Sequence, residues 1–204
     1  RSRPRRPRGA HPQPLPLAGV PAEPGVSGDL DGALTNLFAL WGGRYEAGAE
    51  EPCLQAQRQG LACFFQQRGT ITELKRLDRP AILSLVDEHG RDVQVVVAKL
   101  GYDTASIVGP DRHMEIALAD LVHHWYGGHL LLWGPGFGEP KELAPGMRDA
   151  GVVWLREVLA RTRGETPPAD ASPVYDSSLE TKVREYQRAR MLAVDGIVGA
   201  RTHV

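Results

Sequence analysis

Two cysteines ten positions apart, with a glycine between them, set the tightest limit on how this chain can fold. They lie in EPCLQAQRQGLACFFQQRG, residues 51–69, as Cys53 and Cys63. A catalytic thiol, a pair of metal ligands and a disulfide all compete for the two sulfurs. On one continuous helix they would stand about 15 Å apart, beyond the reach of a disulfide. Gly60 interrupts such a helix. From Cys53 to Gly60 the chain rises roughly 10 Å along a helix. If it then turns back as a strand, the steps from Gly60 to Cys63 also cover roughly 10 Å. Cys63 would return to the level of Cys53, where the sulfurs can meet.

The other two uses fit less well. The spacing C-x9-C has no second cysteine pair, and no H-x-x-H or H-x-x-x-H accompanies it, so a zinc site lacks its ligands. Cys63 sits between Leu61 and Phe64–Phe65, an apolar setting that raises a thiol pKa rather than lowering it. His123 and His124 fall on the polar face of an amphipathic helix, His89 in a hairpin turn and His113 in a loop. A disulfide is the expectation, with two buried free thiols as the alternative.

At 204 residues and 42% hydrophobic content the chain can build one large domain or two small ones. Its net charge is −1, yet RSRPRRPR at the start carries five arginines and no acid, so the remainder is mildly acidic. That balance argues against a body that binds nucleic acid. No uninterrupted apolar stretch reaches membrane length. The sequence starts at Arg1 and stops in ARTHV, which reads as an excerpt of a longer protein. Residues 1–28 read as an Arg/Pro-rich linker, whose arginines could flank a membrane segment before Arg1. Arginines beside a span normally mark a cytoplasmic face.

Order is expected from GDLDGALTNLFALWGG, where Leu30, Leu34, Leu37, Phe38 and Trp41 recur at helical spacing and Gly42 ends the run. PCLQAQRQ is a second short helix, ACFFQQR a strand, and TITELKRL a third helix with Thr70 or Thr72 as cap. PAILSLVDE and RDVQVVVAKLGYD, separated by His89-Gly90, form a hairpin. ASIVGPDRHMEIAL adds two short strands, ALADLVHHWYG a helix, and HLLLWGP a last buried strand. The expectation is an α+β domain over residues 29–135. A linker over 136–142 precedes a small helical domain over 143–204. There Val152, Leu155 and Leu159 form one stripe, and Leu179, Val183, Tyr186, Gln187 and Met191 another, with Tyr175 just ahead.

The last sixty residues resemble a peptidoglycan-binding domain found beside many bacterial wall-lytic enzymes. The resemblance rests on LAPGMRDAGVVWLREVL followed by YDSSLETKVREYQRARMLAVDGIVGARTHV. It implies a three-helix fold, cut short here, and a wall-peptide site. Asp195-Gly196 makes a tight turn, with Gly196 at positive φ and the Asp195 carboxylate accepting from backbone amides. Thr202 stands in the first turn of the final helix. Asp195, Gly196 and Thr202 can build the turn, touch the ligand, or do both. Tyr186, Gln187, Arg190 and Arg201 flank the expected groove and suit the apolar parts, amides and carboxylates of a stem peptide.

With that module, LFALWGG, PCLQAQRQGLAC, LKRLDRPAILSLVD and HLLLWGPG resemble the periplasmic region of the general secretion pathway protein A family. In that family the middle domain is related to papain-like peptidases that cleave leader peptides after double glycine. Such enzymes need a Cys at the first helix, a His on the central strand and a following Asp. Here those positions hold Leu30 or Asp31, Val93 or Gln94, and Gly109 with Asp111 nearby. Nucleophile and base are both missing, so the resemblance implies a degenerate, non-catalytic domain without metal or cofactor.

It further implies a periplasmic, oxidising setting, where a disulfide persists, in a Gram-negative protein anchored upstream in the inner membrane. An ATPase would precede the span, since no G-x-x-x-x-G-K-[ST] occurs here. Expected partners are peptidoglycan, a partner protein of the B type and the subunits of the type II secretion secretin; an oligomer is expected, working in the family's manner by helping the secretin assemble across the wall. An active cysteine peptidase or wall hydrolase is the alternative.

Overall fold

The computed structural model describes residues 28–109, 113–134, 141–199 and 202. Helix α1 (Leu30–Leu40) starts where Asp29 accepts from the Gly32 N–H, and its buried stripe is Ala33, Leu34, Leu37 and Phe38. Helix α2 (Pro52–Arg58) begins on a proline, a natural first-turn residue. It stops before Gly60, which takes φ +75° and turns the chain into strand β1 (Ala62–Gln66). Helix α3 (Ile71–Leu77) is capped by Thr70, whose hydroxyl accepts from the Glu73 N–H at 3.1 Å.

The sheet continues with β2 (Ala81–Val86), β3 (Asp92–Leu100), β4 (Thr104–Val108) and β5 (His113–Ala117). Helix α4 (Leu118–His124) leads into β6 (Trp125–Trp133), and the spatial order is β1-β6-β2-β3-β4-β5 with every pairing antiparallel. The last strand thus inserts between β1 and β2. Alternation sends the two sheet faces into separate cores. One joins Leu83, Val95, Ile107, Leu121 and Leu131, on the side of α3 and α4. The other joins Ile82, Val96 and Leu132 to Leu34, Leu37 and Phe38 of α1.

Two local expectations need correction here. The helix in ALADLVHHWYG ends at His124, and Trp125, Tyr126 and Gly127 already belong to β6. Partners outside the segment fix that boundary. His124 Nδ1 lies 2.8 Å from the Val86 carbonyl oxygen, and the Gly127 carbonyl accepts from the Gly69 N–H at 2.8 Å. Gly127 also takes φ +100° and touches residues 68 and 69 so closely that a Cβ would meet backbone at 2.8 Å.

After β6, helix α5 (Ala150–Thr162), capped by Asp149, packs on helix α6 (Ser177–Ala189), capped by Asp176. Val152, Leu155, Leu159, Tyr175, Leu179, Val183, Leu143 and Val198 form their shared core. Met191 does not extend this stripe. It ends α6 in the left-handed region at φ 54° and is 66% exposed. The α+β reading of the chain agrees with the sheet and its flanking helices. The tail residues 1–27, most of the 136–142 linker and Asp111 lie outside the described residues.

Candidate functional site

Cys53, at the start of α2, and Cys63, on β1, form a disulfide with Cα atoms 5.5 Å apart. The helix rises, Gly60 reverses the chain, and the edge strand descends beside it. Because the chain has two cysteines, neither sulfur is a thiolate in this state.

The positions that would carry peptidase chemistry are engaged otherwise. Asp31 accepts from the Tyr45 hydroxyl at 2.7 Å, and that bond is the chief reason the Tyr45 phenol is pushed up to about 12. Gln94 accepts from the Ser84 hydroxyl at 2.9 Å. Gln94 and its neighbour Val93 thus offer no base. Among the described residues no cluster of three His, Cys, Asp or Glu side chains is placed to hold a metal.

The polar chemistry of the helical unit converges instead on the segment after α6. Gly196 adopts φ +76°, and the Asp195 carboxylate accepts from the Ile197 N–H at 2.8 Å. Gln187 organises the whole turn. Its Oε1 accepts from the Gly196 N–H at 2.9 Å, and its Nε2 donates to Asp195 Oδ1 at 2.8 Å and to the Ile197 carbonyl at 2.9 Å. A longer contact of 3.2 Å reaches the Thr202 hydroxyl, which itself donates to Ile197 O at 3.1 Å. The Tyr175 hydroxyl donates to the Gly196 carbonyl at 2.6 Å, and burial pushes its pKa upward. Leu143 and Val198 exchange backbone hydrogen bonds, tying the turn to the start of the unit.

This arrangement corrects the expectation for Gln187, which is 1% exposed. Its amide satisfies backbone groups of the turn and does not face solvent, because a buried N–H such as that of Gly196 is costly to leave unpaired. The spacing held a signal: Leu179, Val183 and Gln187 recur every fourth residue, so Gln187 occupies a core position of α6. Tyr186 is half-buried, and Arg190 lies over its ring at 5.4 Å. Asp195 and Arg190 are exposed, Thr202 is partly exposed, and Arg201 lies outside the described residues.

The space between α5 and α6 is filled by their core along most of its length. What remains open is a cleft of about 250 Å³ at one end, lined by Arg156, Arg163, Glu165, Leu179 and Lys182. Sequence reading missed these cations. Arg156 already donates to Ser172 O, Val174 O and the Asp176 carboxylate, so it buttresses the loop before α6.

Comparison with known proteins supports a relationship at two levels. Residues 148–204 match the family described as "Putative peptidoglycan binding domain". The chain is 31% identical over 175 residues to the general secretion pathway protein A of Aeromonas hydrophila, covering 84% of this chain and 31% of that protein. It is 26% identical to the "Putative general secretion pathway protein A" of Escherichia coli (strain K12), covering 94% of this chain and 40% of that one. It therefore spans well under half of these curated relatives. Among solved structures, a periplasmic domain of the EpsAB fusion protein of the Vibrio vulnificus type II secretion system superposes with a TM-score of 0.60. That match has 22% identity and covers 87% of this chain and 77% of the other, a likeness of fold.

Proposed function

From the chain's membership of the general secretion pathway protein A family, we propose that it is the wall-binding, non-catalytic part of a type II secretion component. The observation that carries this reading is the Gln187-centred turn inside the matched segment, a rigid scaffold that fixes the surface around Tyr186, Arg190 and Asp195. Peptidoglycan is the ligand of that surface, with the Tyr186 ring against apolar parts of the stem peptide and Arg190 meeting a carboxylate. Asp195, Gly196 and Thr202 shape the turn, and Arg201 is a further candidate for a carboxylate of the peptide. The sheet unit offers a docking surface for a partner protein of the B type and for secretin subunits. The setting is the periplasm, with an inner-membrane anchor elsewhere in the protein. Absence of hydrolysis is part of the proposal: the sulfurs are bonded to each other, and Asp31 and Gln94 hold structural partners.

Cosedimentation with purified sacculi tests it. The chain is expected to pellet, to stop pelleting when residues 143–204 are deleted, and to tolerate moderate salt. Pelleting that survives the deletion would overturn the proposal. So would loss of pelleting in modest salt, which would assign the binding to the arginine-rich start through unspecific charge.

A further inference from the structure

The sheet unit and the wall-binding unit meet at α3. Arg76 in its last turn donates Nη1 to the Met191 carbonyl at 3.0 Å, and Nη2 lies 3.8 Å from Met191 Sδ. The contact encloses a cleft of about 230 Å³, with Glu73, Arg76 and Leu77 on one side and Met191, Leu192 and Ala193 on the other. Leu77 is buried and forms an apolar floor. Residues 191–193 run directly into the Asp195 turn that Gln187 holds, so one wall of the cleft is continuous with the candidate wall-binding surface.

Most arginines that make contacts in this fold meet a carboxylate, and Arg76 does not. Among the described residues no carboxylate pairs with it. It is positioned by a neutral carbonyl and a thioether, neither of which offsets its charge. A guanidinium has five N–H donors in a planar fork that matches a carboxylate, and the Met191 contacts engage two of its nitrogens. The Glu73 carboxylate, one helical turn away on the same cleft, is already engaged and accepts from Gln66 Nε2 at 3.1 Å. An apolar floor beside a positioned guanidinium is complementary to a short peptide end carrying a carboxylate.

We infer that this inter-unit cleft is a peptide subsite for a wall stem peptide, with Arg76 holding a free carboxylate of that peptide. The inference rests on the wall-binding reading above and adds to it that α3 of the sheet unit contributes to recognition. The wall-binding unit alone is then an incomplete receptor.

The test is titration of the isotope-labelled full chain with soluble muropeptides released from sacculi by muramidase, read by backbone amide shifts. Shifts are expected at residues 73–77 and 191–193 as well as near residue 195, and the peptide-free disaccharide should leave 73–77 unmoved. Arg76→Gln should raise the Kd at least fivefold. Ala193→Trp, an exposed position that fills the cleft without changing charge, should do the same, so a loss does not hinge on one variant. Shifts confined to residues 186–202, with both variants binding as the parent does, would overturn the subsite and leave the wall-binding proposal standing. Absence of all shifts together with failure to pellet on sacculi would overturn both.

Discussion

The sheet unit and the helical unit reach a fixed shape by different means. The sheet unit buries long runs of aliphatic side chains on both faces, so most of its specificity is apolar packing and strand register. The helical unit has a core of eight buried hydrophobic residues among those described, and it places a primary amide and a phenol among them. A small core cannot bury enough surface to order an irregular segment by packing alone. The difference shows where polar groups belong inside a fold. They are found where backbone without regular pairing must be held, here residues 195–198, and they work because each donor and acceptor is matched. The sheet unit also uses amides, with Gln55 and Gln59 bonding the backbone of Arg44, Glu46 and Glu50, but it closes the turn from α2 into β1 with a covalent bond.

The strongest way to break this contrast is Gln187→Leu, which keeps approximate volume and removes every bond to the turn. With the Gly196 N–H left buried and unpaired, and the Ile197 carbonyl left with the Thr202 hydroxyl alone, the expected cost is about 2 kcal/mol. The loss should fall on α5, α6 and the turn in hydrogen exchange, with the sheet amides unchanged. Uniform loss across both units would mean that they unfold as one body and that the contrast is only local.

Reduction of the Cys53–Cys63 bond is the counterpart in the sheet unit. Opening so short a loop is expected to cost about 2.5 kcal/mol in the chain-entropy account. A thermal melt in reductant should shift, with α2 and β1 exchanging first. An unchanged melt would show that packing of Ala56 and Leu61 already fixes that turn.

The smallest effect is the response to acid. Asp149 is held below the ordinary carboxylate range first by the Lys141 contact and then by the Gly151 N–H. Asp176 is lowered first by the Leu179 N–H, with Arg156 contributing. Folded values below the unfolded value stabilise the fold above about pH 4, and that contribution is lost as pH falls through the folded values. Both are helix caps of the wall-binding unit, so its melting temperature should be flat from pH 7 to 5 and decline below. Asp176→Asn keeps an acceptor at the cap while removing the titration, and should flatten part of that decline. The sheet unit carries a comparable group in Asp87, lowered to about 2 chiefly by the Arg91 N–H, so its own contribution is likewise lost only in acid solution.

Much of this was legible in the chain because the determining forces are local. Hydrophobic spacing placed α1, α5 and α6. Asp-Gly announced the turn, and Gly60 between the cysteines allowed the chain reversal that a disulfide needs. Tertiary structure decided the rest. Local pattern extended α4 through Tyr126, but pairing with β1 and β2 drew Trp125 onward into β6, since shared strand hydrogen bonds outweigh the weak helical preference of a short segment. A glutamine in an amphipathic helix does not reveal by itself whether it faces solvent or unpaired backbone. Only the approach of residues 195–198 turned Gln187 into a buried hub. Nor could the sequence bring Arg76 to Met191, 115 positions away, because that contact depends on how two folded units meet.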